Sequence, residues 1–169
     1  MDISNGEGVG VALFVQGCRF HCYNCFNPDT WDFNGGKGWT PEVEDKLIEL
    51  SNKPYIKRLS ILGGEPLADE NLDGVLHLVN RFRLSFPNKS IWLYSGFRYE
   101  DCLIKPKICE ENIFRALRCE IIKNIDVMVD GRYIDSQRNP SKKWAGSDNQ
   151  RVIDIRKSLE QNRIVLYCD

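Results

Sequence analysis

The chain has 169 residues, 42% of them hydrophobic, with 23 basic and 24 acidic side chains for a formal charge of −1. That apolar share supports a packed core and excludes a disordered tail, while the mixed charge excludes the basic footprint of a nucleic-acid binder. No apolar run approaches the roughly 20 residues that span a bilayer, and the opening MDISNGEG has no basic stretch leading into an apolar one. A cytoplasmic chain with neither membrane nor nucleic-acid partners is expected, as one domain over 1–169.

Val9–Val15 (VGVALFV) is a continuous apolar run, the pattern of a strand buried on both faces. Cys18 to Gly38 is a loop rich in Cys, Asn, Gly and aromatics. Thr40-Pro41 reads as an N-cap followed by Pro at the first helical position, with Val43, Leu47, Ile48 and Leu50 as the apolar stripe of the helix. Arg58–Leu62 is a short strand ending at Gly63-Gly64. Asp69 is placed to cap a second helix with the stripe Leu72, Val75, Leu76, Val79, Phe82 and Phe86. Ser90–Tyr94 is a third strand; Glu110–Cys119 is a helix with Ile113, Phe114 and Leu117 on one side. Asp126–Val129 is a fourth strand, stopped by Asp130-Gly131. Arg132 to Gln150 is polar loop, and Val152–Ile155 and Ile164–Tyr167 are late strands.

This rhythm predicts an α/β fold with a mostly parallel sheet covered by helices. Ligands of such sheets lie at the carboxyl ends of the strands. The loops that follow the first four strands therefore matter most. They hold the cysteines, the Gly-Gly-Glu-Pro turn, Ser95-Gly96 and Asp130-Gly131-Arg132.

Of seven Cys, three fall within eight residues as Cys18-x3-Cys22-x2-Cys25. Clustered thiols in a cytoplasmic chain point to metal or redox chemistry rather than disulfides. Three thiolates on a tight loop can hold three corners of an iron–sulfur cubane and leave one iron open. The competing readings are a Cys3His zinc site completed by His21 or His77, and a set of buried unligated thiols. Cys102, Cys109, Cys119 and Cys168 have no cluster spacing and read as structural.

The Cys-x3-Cys-x2-Cys loop after the first strand, with Gly63-Gly64-Glu65-Pro66 directly after the second, resembles the radical S-adenosylmethionine (SAM) superfamily. Further motifs narrow the likeness. They are Asp2–Gly8 (DISNGEG), Gln16-Gly17, Asn27, Thr30-Trp31, Trp92–Phe97 (WLYSGF), Asp126–Gly131 (DVMVDG) and Trp144–Arg151 (WAGSDNQR). Together they resemble the activating proteins of anaerobic (class III) ribonucleotide reductase, from Asp2 to about Ile155, with 156–169 an unmatched tail. Many superfamily members have an aromatic against the adenine immediately before the third Cys; that cofactor-facing position is Asn24 here, with Tyr23 one earlier.

The resemblance implies a partial TIM-like (β/α) barrel, since 169 residues are too few for eight βα units. It implies one [4Fe–4S] cluster on Cys18, Cys22 and Cys25, with SAM on the fourth iron. It implies reductive SAM cleavage and a glycyl radical on the large subunit of anaerobic ribonucleotide reductase, with a flavodoxin-like electron donor. A sibling reading is the activase of another glycyl radical enzyme, of the pyruvate formate-lyase type. Gly63, Gly64, Glu65 and Pro66 are expected at the SAM amino group, and Ser95 with Gly96 at its carboxylate or ribose. Asp130 is expected beside a monovalent cation near SAM, and Arg132 at the SAM carboxylate. Glu65 is either a carboxylate partner or a brace for its own turn. Asn149, Gln150 and Arg151 either close the site, read the partner's loop, or cap their own loop.

Overall fold

The computed structural model describes residues 1–103 and 113–168. Strands β1 (Gly10–Val15), β2 (Arg58–Gly63), β3 (Ser90–Ser95), β4 (Val127–Asp130) and β5 (Arg151–Asp154) form one sheet in chain order. The first four are parallel and β5 runs antiparallel to β4. Helices α1 (Pro41–Ser51), α2 (Leu72–Ser85), α3 (Tyr99–Leu103), α4 (Ile113–Asn124) and α5 (Ile155–Gln161) connect and follow them. Cys109 and the start of the predicted Glu110–Cys119 helix lie outside the described residues.

The two faces of the sheet bury different things. Leu59, Ile61, Ile91, Leu93, Met128 and Ile153 pack on the helices and form the main core. The alternate residues face the other way, as the period of two requires. Trp92, Val127, Val129 and Val152 form a second cluster there, against Tyr94, Trp144, Ala145 and Cys168. Arg58 shares that face and is fully buried. Its Nη2 donates to the Asp2 carboxylate at 2.6 Å, and Nη1 donates to the Ser60 hydroxyl. Ser60 in turn donates to the Asn5 carbonyl at 2.5 Å. A buried ion pair thus pins the N-terminal segment under the sheet.

Several expectations are corrected. The first strand is an edge strand, and Phe14 is 47% exposed rather than buried. In α1, Val43 and Leu50 are exposed, and the buried positions are Glu44, Leu47 and Ser51. Glu44 is buried because Arg81 (2.8 Å) neutralises it from α2. Asp69 does not cap α2; it sits in a 3-10 turn, Asp69–Asn71, and pairs with Arg118. Leu78 joins the buried stripe of α2. The fourth helix runs on to Asn124, its buried residues are Ile121 and Ile122, and Ile113 and Phe114 are exposed. The fourth strand starts one residue later, because the Asp126 carboxylate instead accepts from Ile91 N at 2.7 Å and pairs with Arg83 at 2.6 Å. Ile164–Tyr167 is not a strand but makes one antiparallel bridge, Ile153 with Leu166.

Arg58→Ala leaves Asp2 without its cation and removes buried volume. It should cost about 3 kcal/mol in urea denaturation. An unchanged midpoint would show that the pair does not hold the N-terminal segment.

Candidate functional site: a cysteine-lined cavity at the carboxyl ends of the strands

The loops after β1, β2, β3 and β4 converge on one cavity of about 450 Å³. Cys18, Cys22 and Cys25 all line it, with Gly63, Gly64, Glu65, Ser95, Gly96, Gly131 and Arg132. This is where a parallel sheet is expected to bind its ligand. Asn24, Pro66 and Asp130 lie outside it.

The cysteine loop is seated by backbone bonds. Gly17 N donates to Thr30 O at 2.9 Å, and Cys18 N to Trp31 O at 3.0 Å. Cys25 N donates to Cys22 O at 3.1 Å, which closes the turn between the second and third thiols. His21 (φ 44) and Asn24 (φ 54) adopt left-handed backbone, so the chain coils tightly between the cysteines. That conformation favours Asn, and Asn24 Nδ2 donates to Asp135 at 3.1 Å rather than facing the cavity. The His21 ring stacks on Trp31 with centroids 4.6 Å apart. His77 lies on α2 and its Nε2 pairs with Glu44 at 3.2 Å, away from the thiols. Burial pushes the Cys18 and Cys22 thiols up.

The Gly-Gly-Glu-Pro turn closes against that loop. Gly64 N donates to Val15 O at 2.8 Å, and Glu65 N to Gly17 O at 2.7 Å. A Cβ on Gly64 would lie 2.6 Å from Gly17 O and 2.8 Å from Thr30 O, so only glycine fits. Gly63 has φ +104, which also requires glycine.

Glu65 is the brace, not a free carboxylate. Its Oε1 accepts from Leu67 N at 2.8 Å and from Ser95 Oγ at 2.7 Å, and its Oε2 from Gly96 N at 2.7 Å. It therefore ties the turn after β2 to the turn after β3. Burial pushes its pKa up to about 7, against these three donors, which pull it down. Asp130 is likewise engaged. Arg151 donates to both of its oxygens, at 2.9 and 2.5 Å, and Tyr99 N donates to Oδ2 at 2.8 Å. Arg132 stacks its guanidinium over the Phe20 ring, 4.3 Å from the centroid. Gln150 accepts from Gly146 N at 2.8 Å and donates to Gly131 O at 2.9 Å, and Asn149 donates to Arg132 O at 2.8 Å. These amides organise their own loop, although Gln150 also reaches the cavity wall.

The sequence reading missed much of the lining. Phe14, Phe20, Phe26, Tyr94, Tyr133 and Trp144 supply apolar walls. Phe14 and Tyr94 were legible in principle, as the outward members of strands that end at the site.

The donor set fits an iron–sulfur cluster: three soft thiols from one loop around a cavity with room for a cluster and an organic ligand. Among the described residues, no three His, Cys, Asp or Glu side chains are grouped closely enough to hold a single metal ion.

A family model described as a 4Fe-4S single cluster domain matches residues 4–153. The anaerobic ribonucleoside-triphosphate reductase-activating protein of Escherichia coli (strain K12) is 35% identical over 158 residues, covering 92% of this chain and 95% of that protein. The protein of the same name from Vibrio cholerae is 38% identical, covering 90% and 92%. That of Enterobacteria phage T4 is 38% identical, covering 89% and 87%. The chain belongs to this family of activating proteins. Membership places it among the radical SAM-type iron–sulfur activases. No solved structure matches.

Glu65 gives the site a pH signature. Below its ordinary value of 4.5 the carboxyl is protonated in both folded and unfolded chain, and its full contribution is present. From there to about 7 only the unfolded chain ionises readily. Stability therefore falls as pH rises through that window, by on the order of 3 kcal/mol in total. Glu65→Gln should flatten that component, and it should cost about 1–3 kcal/mol at pH 5 because one backbone donor loses its acceptor. Denaturation midpoints of the two proteins from pH 4 to 8 check this; parallel profiles would contradict it.

Proposed function

We propose that the chain is a radical SAM activase that generates a glycyl radical on anaerobic ribonucleotide reductase. The observation that carries the reading is that the three thiols and the Gly63-Gly64 turn line one cavity at the carboxyl ends of the strands. Cys18, Cys22 and Cys25 would hold a [4Fe–4S] cluster with one iron left for the amino and carboxylate groups of SAM. When bound and reduced, the cluster would supply the one electron for reductive cleavage of SAM, with a hydrogen atom drawn from a glycine of the reductase and methionine and 5′-deoxyadenosine as products.

The chain's own residues bind, orient and exclude water. Gly63 and Gly64 present backbone without side chains, which lets the methionine end approach closely. Glu65 fixes that turn to Ser95 and Gly96, so the two turns bind the ligand as one rigid unit. Arg132, held flat over Phe20, supplies a positive charge for the SAM carboxylate. Phe14, Phe26 and Trp144 keep the cavity wall apolar, which protects a radical from water and stray donors. We assign no cation to Asp130, because Arg151 and Tyr99 N already occupy its oxygens.

The five-stranded sheet is read as an open, partial (β/α) barrel of the radical SAM type, in a single domain over 1–169. Its open side admits the partner's glycine loop. A flavodoxin-like one-electron donor and a cytoplasmic setting complete the reading. No described helix is long and apolar enough to cross a membrane.

Anaerobic reconstitution with iron and sulfide, followed by reductant and SAM, should yield 5′-deoxyadenosine. Replacing Cys18, Cys22 or Cys25 by Ala should lower the yield by at least about 100-fold, since a cluster lacking one of three ligands is not held for turnover. A colourless protein that never cleaves SAM would contradict the proposal.

A further inference from the structure

The C-terminal segment lies beyond residues 4–153 matched by the family model, yet it reaches the cavity walls. Tyr167 N donates to Val152 O at 2.8 Å, and Asp154 N donates to Val165 O at 2.9 Å. These bonds lay the segment along the free edge of β5. The Tyr167 ring then turns under the sheet. It meets Trp92 edge-on at 5.1 Å and Trp144 edge-on at 5.8 Å between centroids. Trp92 and Trp144 also meet edge-on, at 4.8 Å, so the three rings form one aromatic group. Its hydroxyl donates to the Glu7 carboxylate.

Two of the three partners of Tyr167, Trp144 and Glu7, bear on the cavity. Trp144 lines it, and holds a left-handed backbone (φ 57) that persists only under outside restraint. Glu7 belongs to the Asp2–Gly8 segment, whose Ser4 and Asn5 line the cavity as well. The far end of that segment is fixed by Arg58 and Ser60. The near end has Tyr167. The sheet ends at β1 on one side and β5 on the other, so this contact also joins segments from its two open edges.

We propose that Tyr167 is a positioning residue for the cavity, its ring holding the Trp144 wall and its hydroxyl holding the Ser4–Asn5 floor through Glu7. It touches no reacting atom, so it acts on ligand binding rather than on the chemical step. Only the SAM readout rests on the function proposed above.

The test uses Tyr167→Phe, which keeps the ring and removes the hydroxyl, and Tyr167→Leu, which removes both. In the full-length chain, amide hydrogen exchange over Asp2–Gly8 should speed up roughly 2- to 10-fold in Tyr167→Phe. Trp144 should become more accessible to a fluorescence quencher only in Tyr167→Leu. Glu7→Ala should reproduce the Phe effect, and the double variant Glu7→Ala/Tyr167→Phe should be no worse than either single one. In the reconstituted protein, both Tyr167 variants should keep full iron content and unchanged kcat for SAM cleavage, while half-saturation for SAM rises roughly 2- to 10-fold. Wild-type exchange and quenching in both variants would overturn the inference. So would additive effects of the Glu7 and Tyr167 changes. A chain that binds no SAM would overturn the proposed function, while exchange and quenching still decide the role of Tyr167.

Discussion

Everything at the ligand end of the sheet depends on how the Gly63–Pro66 turn seats against the base of the cysteine loop. Two backbone bonds, Gly64 N to Val15 O and Glu65 N to Gly17 O, continue the β1–β2 ladder past the end of the strands. They work only because Gly64 has no Cβ to strike Gly17 O and Thr30 O. The contact makes two distant stretches of sequence one rigid corner. Glu65 then extends that corner to β3 through Ser95 and Gly96. A buried carboxyl is costly on its own, and here three donors offset much of that cost.

The cysteine loop inherits its rigidity from this corner and adds strain of its own. His21 and Asn24 are held in left-handed backbone, and Asn24 is tied to Asp135. The arrangement keeps three thiols from one loop on the wall of one cavity. Arg132 lies over Phe20, and the aromatic group of Trp92, Trp144 and Tyr167 backs the Trp144 wall.

The sequence made the chemistry legible where residue type and spacing decide it. Cysteine spacing, the glycine pair and the strand–helix rhythm located the thiols, the turn and the parallel sheet. What it could not show follows from long-range partners. Glu44 is buried in α1 only because Arg81 reaches it from α2. Asp69 left its capping role for Arg118, and Asp130 left the cavity for Arg151. Phe14 looked like core from the apolar run around it, but lies at an edge beside the cavity. Asn24, expected to face the cofactor, instead sits in left-handed backbone and bonds to Asp135. The tail from Arg156 onward carried no motif at all, and its reach under the sheet depends on β5 having a free edge.

The central proposal is that this chain generates a glycyl radical on anaerobic ribonucleotide reductase rather than on another glycyl radical enzyme. The most direct test mixes the reconstituted, reduced protein and SAM with anaerobic ribonucleotide reductase and records electron paramagnetic resonance spectra. The account predicts a glycyl radical on the reductase that requires SAM, reductant and all of Cys18, Cys22 and Cys25. Formation of 5′-deoxyadenosine with no radical on that partner, but a radical on another glycyl radical enzyme, would contradict it.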